Sequence, residues 1–507
     1  MKITLFEITC PDIRSFGIRC IGSYLRKHGF DTNLVFMPPD LEKIRPGKGE
    51  IHLFKKRILD ELVELCSDSD LIGISFLTYY FDKAVQLTNL FHEKLGKHVI
   101  WGGIHPTIKP VEGVNIADYV CVGEGEEALL EFCQKFDNNE DLSSIKNIWL
   151  KHNGNIISNK VRPLVRDLDS IVDPDYNLDF HFYHDIKENR IRRLNDSLLK
   201  DIMSFGPLSV GQKRYHYNTM MSRGCPHACA YCCNNYYRKM YAPEKYLRWR
   251  SVEHFISELE RITDRFPFIN AFNFFDDSFF SMPDHMMKKF CEIYQEKFKH
   301  PFTSQSTPSG AAIKKLDLLI KAGLRRVEVG IQSGSERINK IYKRRFKGSD
   351  ILDAATNINK YKKIILPPDY HVILDNPWET NKDIIDTLEL VLKLPKPFFL
   401  KPSSLVLYPT TGVYEKAKEE GFFHEELDQI YRKAFGAHKA MYLNFLIILA
   451  GSGYFPKFLV KILKNNILIK LFQRESLSII FVILFKIHKL KSILYEKLIL
   501  KPSYKSP

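Results

Sequence analysis

Cys225-Pro226-His227-Ala228-Cys229-Ala230-Tyr231-Cys232 directly follows Arg223-Gly224 and a short apolar segment at 217–221. The three cysteines stand at C-x3-C-x2-C spacing and Cys233 comes next, so four of the chain's ten cysteines fall within nine residues. Clustered thiols in a reducing compartment indicate metal binding or catalysis rather than disulfides. Three thiolates on one short loop suit three irons of a [4Fe–4S] cube and leave the fourth iron open to a substrate. The alternative is a structural zinc with His227 or Cys233 as fourth ligand. Structural zinc normally draws its ligands as two separated pairs, and no second pair stands here.

Outward from the loop, segments 217–221, 271–275, 302–306, 326–331, 371–375 and 400–407 read as buried strands. Helical patterns lie between them at 252–266, 283–298, 311–322, 335–342, 350–361 and 381–394. This alternation predicts a partial (β/α)6 parallel barrel over 216–415, with its chemistry at the C-terminal strand ends. Upstream, an apolar run at 3–9, a helix at 18–27 closed by His28-Gly29, and short runs at 71–77 and 98–101 predict a doubly wound, Rossmann-like α/β domain over 1–140. Asn153-Gly154 between 145–151 and 155–160 signals a hairpin. Region 141–215 reads as that hairpin plus a linker, and 416–507 as helical.

Composition narrows the class. The chain has 507 residues, 45% of them apolar, with a net charge of +14. Such a chain buries a large core, which excludes disorder and small disulfide scaffolds. A basic balance suggests nucleic acid or an anionic membrane surface. Region 457–507 holds eleven Lys and Arg against Glu475 and Glu496, so +9 of the charge sits there. The same region is apolar, and lysines interleaved with apolar residues at helical spacing fit a helix lying in a membrane interface. They fit equally a helical cap on the barrel with a solvated basic face. The run at 477–485 is nine residues, too short to span a bilayer. Glu7, Asp12 and Arg14 interrupt any signal-peptide core, so the expected location is cytoplasmic, peripheral at the inner face of a membrane. No nucleic-acid partner is expected.

The cysteine loop, with Tyr231 before its last Cys, resembles the radical S-adenosylmethionine (radical SAM) superfamily. The resemblance implies that Cys225, Cys229 and Cys232 hold a [4Fe–4S] cluster whose open iron chelates SAM, giving a 5′-deoxyadenosyl radical on reduction. Phe274-Phe275-Asp276-Asp277-Ser278-Phe279 is similar to an acidic pair that stands in one branch where others hold the SAM ammonium, implying that role for Asp276 and Asp277. Val329-Gly330-Ile331-Gln332-Ser333-Gly334-Ser335 looks like the ribose-contact segment, implying Gln332 and Ser333, although Gln332 stands where relatives often have Glu. Arg344 lies where a cation meets the SAM carboxylate, but within Lys343-Arg344-Arg345 it reads rather as part of a solvated run. In Leu374-Asp375-Asn376-Pro377-Trp378-Glu379-Thr380, Asp375 and Trp378 replace two glycines of the related Gly-x-Pro-Gly-Glu-Thr turn. Tyr408-Pro409-Thr410-Thr411 is similar to the turn after the sixth strand, without its glycine.

The N-terminal region resembles the cobalamin-binding domain, with its Asp-x-His-x-x-Gly, Ser-x-Leu and Gly-Gly pattern. It carries Asp12-Ile13-Arg14-Ser15-Phe16-Gly17, Ser75-Phe76-Leu77, Trp101-Gly102-Gly103-Ile104-His105-Pro106-Thr107 and Gly123-Glu124-Gly125-Glu126. The implied cobalamin contacts are Asp12, Ser75, Gly102, Gly103 and Gly123. Arg14 replaces the cobalt-ligating His, and a guanidinium is no metal ligand at neutral pH, so cobalamin is expected without a protein His ligand. His105 is the obvious substitute, but in such a turn it reads as a local hydrogen-bonder.

Together the resemblances imply a cobalamin-dependent radical SAM enzyme of the methyltransferase-like class B type. It would take hydrogen from an unactivated carbon of a small molecule or lipid and methylate it, fed by a low-potential donor such as flavodoxin or ferredoxin. The competing readings are a cyclase, C–C bond-forming or oxidative radical enzyme without methyl transfer, and a zinc-binding, membrane-associated scaffold.

Overall fold

A computed structural model describes residues 1–8, 15–38, 53–171, 173–204, 206–209, 212–436 and 438–495. Asp12 and Arg14, all but Pro38 of the low-periodicity stretch 38–50 that reads as an insertion or long loop, and the last residues of the basic tail lie outside the described residues. The chain forms two compact bodies: Met1–Ile202 with Cys232–Ser251 and Leu407–Lys433, and Met203–Tyr231 with Val252–Val406 and Ala434–Pro507.

The first body is built on a nine-stranded sheet. Its strands are β1 (Lys2–Glu7), β2 (Asp31–Phe36), β3 (Leu71–Ser75), β4 (His98–Gly102), β5 (Tyr119–Cys121), β6 (Ile148–His152), β7 (Asn155–Ser158), β8 (His181–Asp185) and β9 (Arg190–Arg193). The order is β7-β6-β5-β4-β3-β1-β2-β8-β9. Strands β5-β4-β3-β1-β2 run parallel, and the winding reverses between β1 and β3. Such a reversal opens a crevice at the carboxyl ends of the strands, where doubly wound sheets bind ligands. The hairpin β6–β7 turns through Asn153 (φ 50°) and Gly154 (φ 80°), the left-handed pair its sequence calls for.

The region expected to be a linker is instead part of this body, because β8 and β9 extend the sheet beyond β2. Arg19, wholly buried, draws it in. Its guanidinium donates to the Asp175 carbonyl and stacks on Phe36 and Tyr176 at 4.5 and 4.1 Å. Arg26 adds an ion pair with the Asp175 carboxylate. A buried charge needs such partners, and no hydrophobic periodicity marks them.

The second body has six parallel strands in sequence order: His216–Thr219, Ala271–Phe274, Phe302–Ser306, Leu324–Gln332, Asp369–Leu374 and Phe399–Ser404. Helices Val252–Arg265, Asp284–Lys297, Ile313–Ala322, Gly348–Asn359 and Asn381–Lys393 return the chain between them, with the short Glu336–Ile341 after the fourth strand. This is the expected open (β/α)6 arrangement. Helix Tyr442–Gly451 packs on Asn381–Lys393 and on the sixth strand, and Lys457–Leu463, Asn466–Phe472 and Ser478–Tyr495 complete the body. The expected boundaries at 215/216 and 415/416 are thus crossed. Segments 232–251 and 407–433 fold with the first body, where Arg248 pairs with Glu124 and Lys109 with Glu426. Among the described residues no helix is long and apolar enough to cross a membrane.

Candidate active site

The first barrel strand ends at Thr219, and the chain turns through Gly224 (φ 90°) into the cysteine loop. Cys225, Cys229, Cys232 and Cys233 are half-buried, whereas Cys20, Cys66, Cys121, Cys133 and Cys291 are buried. Burial pushes the Cys66, Cys121 and Cys291 thiols up to about 12, which leaves them inert. Thiols accessible to a metal are therefore gathered on this loop among the described cysteines. No three His, Cys, Asp or Glu side chains among the described residues already converge as a closed metal site. The donor chemistry fits an iron–sulfur cluster better than zinc: the His227 ring packs edge-on against Phe346 at 5.9 Å, and no second cysteine pair appears.

Two contacts brace the loop. Asp276, just past the second strand, is fully buried. Its carboxylate accepts the Met221 amide at 3.0 Å, the Ser222 amide at 2.6 Å and the Ser222 hydroxyl. Burial pushes this carboxyl up to about 6 against those donors. Both oxygens accept donors from the Met221–Ser222 segment, so Asp276 fixes the loop's entry. Asp277 points outward and is exposed. The second brace is Arg344. It is half-buried between exposed Lys343 and Arg345. It donates to the Tyr231 hydroxyl at 2.9 Å and to the Gly330 carbonyl at 2.6 Å, and stands 3.9 Å from Cys229 Sγ. A solvated charge run is thus the wrong reading of Arg344. The signal available in the sequence was its position after the fourth strand.

Gln332 ends the fourth strand with φ 60° and is half-buried. A left-handed residue at a strand end is a costly conformation characteristic of functional sites. Ser333 is different. It is wholly buried, shares a hydrogen bond with Thr387 Oγ1 at 3.2 Å and accepts the Ser335 amide at 3.1 Å. Its hydroxyl serves the turn into the next helix. Asp375, at the glycine position of the related turn, also takes φ 60°. Its carboxylate accepts Asn444 Nδ2 at 2.9 Å and the Lys439 amide at 2.8 Å, so hydrogen bonds to the C-terminal segment do what a glycine would do without them. In the same turn, burial with the Asp375 and Asp383 carboxylates pushes Glu379 up to about 8.

In the first body Ser75, Gly102 and Gly123 stand at the carboxyl ends of β3, β4 and β5, and Ser75 is paired with Gly102 across the ladder. Gly103 has φ 94°, and a Cβ there would lie 3.0 Å from the Phe76 amide nitrogen. Around Gly102 there is open space. Thr107, missed as a site residue though quoted in its motif, links two of these turns. Its hydroxyl donates to the Gly103 carbonyl at 2.8 Å and accepts the Gly123 amide at 3.0 Å. Gly102 leaves its strand end bare, as a nucleotide tail requires, whereas the Tyr241 side chain already lies against Gly123. His105 is closed to metal: it is 1% exposed, with Nδ1 3.2 Å from Thr78 Oγ1 and Nε2 3.2 Å from Glu112.

The radical SAM superfamily matches residues 219–391, and the B12 binding domain matches residues 10–132. An uncharacterized methyltransferase, PH0819, of Pyrococcus horikoshii is 25% identical over 358 residues, 69% of this chain and 70% of that one. The anaerobic magnesium-protoporphyrin IX monomethyl ester cyclase of Synechocystis is 22% identical over 435 residues, 82% of this chain and 74% of its own. Among solved structures, the radical SAM methyltransferase TsrM of Kitasatospora setae, with cobalamin and a [4Fe–4S] cluster bound, superposes with a TM-score of 0.62 at 13% identity. The match covers 82% of this chain and 78% of that one. At such identity the likeness is one of fold. The chain belongs to the radical SAM enzymes that carry an N-terminal B12-binding domain. Its cofactors are a [4Fe–4S] cluster, SAM and cobalamin.

Proposed function

We propose that this enzyme methylates an unactivated carbon of a small-molecule or lipid substrate. The observation that carries the reading is the pairing, in one chain, of the half-buried cysteine loop with the small-residue strand ends of a B12-binding domain, open at Gly102. When bound, the cluster supplies the electron that cleaves SAM, and cobalamin carries the methyl group to the substrate carbon. Cys225, Cys229 and Cys232 hold the cluster. Asp276 and Arg344 set the loop that presents them. Asp277 and Gln332 face SAM, and Ser75, Gly102, Gly103 and Gly123, with Asp12, border the cobalamin site. Cobalamin binds without a His ligand from the protein. The electron donor is a low-potential carrier such as flavodoxin or ferredoxin, and the enzyme works in the cytoplasm at the inner face of the membrane.

The test is to feed methyl-labelled methionine to cells with and without the gene and to profile lipids and metabolites. A labelled methyl that appears only with the gene supports the reading. A gene-dependent product without the label sinks it. That second outcome favours the cyclase-type reading, which the similarity to the magnesium-protoporphyrin ester cyclase keeps in play.

A further inference from the structure

Eleven of the nineteen large apolar side chains exposed among the described residues fall within 457–495. Helix Ser478–Tyr495 shows why. One stripe faces inward: Phe481 is buried, with its ring 5.6 Å from Tyr442 and 6.0 Å from Phe445, and Phe485 lies 5.3 Å from Phe445. The opposite stripe, Ile479, Ile483, Leu490 and Leu494, is more than half exposed, with Lys486, Lys489 and Lys491 interleaved. A helix apolar on both faces is stable only when both are covered.

Between this helix, the start of the sixth strand and the Gly451-Ser452-Gly453 turn lies a cavity of about 490 Å³. Lys396, Lys401, Lys489, His438, His488 and Tyr454 line it together with aromatic and aliphatic side chains, and no carboxylate does. The Tyr454 hydroxyl lies 2.6 Å from His488 Nδ1. His438 Nδ1 is a buried nitrogen without a hydrogen-bond partner among the described residues. An unmet buried polar atom is costly. Lys396 donates to the Ser452 carbonyl at 2.6 Å, and Lys401 stands 3.7 Å from Asp369, which Arg326 already pairs, so the wall keeps an excess of positive charge that calls for an anion.

We propose that this cavity receives the anionic headgroup of a membrane lipid while the outer stripe of the helix enters the bilayer interface. Headgroup and stripe are needed together. A free anion would satisfy the lysines yet leave the isoleucines in water. A second copy of the chain would set lysine against lysine. A lipid brings negative charge and hydrocarbon side by side, which is what the wall and the stripe offer. The inference rests on the membrane-face location proposed above and is independent of the chemistry at the cysteine loop.

The full-length, cluster-loaded protein is tested by flotation with vesicles of phosphatidylcholine, with and without phosphatidylglycerol. The wild type should favour the anionic vesicles by roughly tenfold or more. K401Q/K489Q should lose that preference while keeping residual binding, and I483S/L490S should lose binding to both vesicles. The cluster absorbance and melting temperature of each variant check that it folds. Flotation insensitive to lipid charge or to K401Q/K489Q overturns the headgroup site. Inorganic phosphate binding without flotation overturns the lipid in favour of a free anion, and dimerisation abolished by I483S/L490S overturns it in favour of a second copy. Product mass reads the methyl-transfer proposal separately, so either can fail alone.

Discussion

The Arg344 guanidinium donates to the Tyr231 hydroxyl at 2.9 Å. A cation therefore stands beside the cysteine loop, where it offsets the charge of a cluster. R344A should lower iron and sulfide content after anaerobic reconstitution and shift the cluster's reduction potential downward. R344K, which keeps charge but not the two-pronged geometry, should fall between. Iron analysis with redox titration followed by electron paramagnetic resonance reads both effects, and unchanged loading in R344A would refute the role.

Asp276 stabilises by a different route. D276A leaves the Met221 and Ser222 amides unpaired in a buried place, at a cost of about 1–3 kcal/mol for each. The melting temperature of the apoprotein should fall clearly, before any cofactor is considered. D277A, at an exposed carboxylate, should lower it less and should weaken SAM binding instead. Differential scanning fluorimetry and equilibrium dialysis separate the two.

Glu379 makes stability fall with pH. Its carboxyl is raised from an ordinary 4.5 to about 8, so the folded state retains a proton that the unfolded chain releases. The contribution is fully present below the ordinary value and is lost as pH rises through about 8. Asp276, raised to about 6, acts in the same sense at lower pH. Denaturant unfolding at pH 6 and pH 9 should show the loss, and E379Q should flatten it.

The two adjacent glycines of the B12-binding domain should part company. G103A places a Cβ at φ 94° and 3.0 Å from the Phe76 nitrogen, costing roughly 1–2 kcal/mol in backbone strain alone. G102A meets nothing within 4 Å and should fold normally. If cobalamin passes over this edge, G102A lowers cobalamin loading at native stability, whereas loading and stability fall together in G103A. Absorbance of bound cobalamin against melting temperature decides it.

The strand–helix alternation was legible because each barrel element buries a continuous apolar face; the strand expected at 302–306 and the helix expected at 381–394 appear at Phe302–Ser306 and Asn381–Lys393. The cysteine loop was legible because its spacing is local. A motif gives residue types but not which way a side chain turns, and Asp276 and Ser333 both turn inward to backbone amides. Arg19 was missed, and Arg344 misread, because Asp175 for one and Tyr231 for the other lie far off in sequence. The role of 232–251 was hidden for the same reason, since Tyr241 meets the Glu124 amide across more than a hundred residues.

The first body is completed by Leu407–Lys433, more than two hundred residues after Ile202. During synthesis its sheet therefore emerges well before the strap that pins Glu112 and Asp82 through Tyr431 and Arg432. The nascent domain waits, unfinished, until nearly the whole barrel has left the ribosome. A gene fragment ending near residue 215 would encode a domain with two of its three pieces missing, and transplanting the B12-binding region into another enzyme would demand all three.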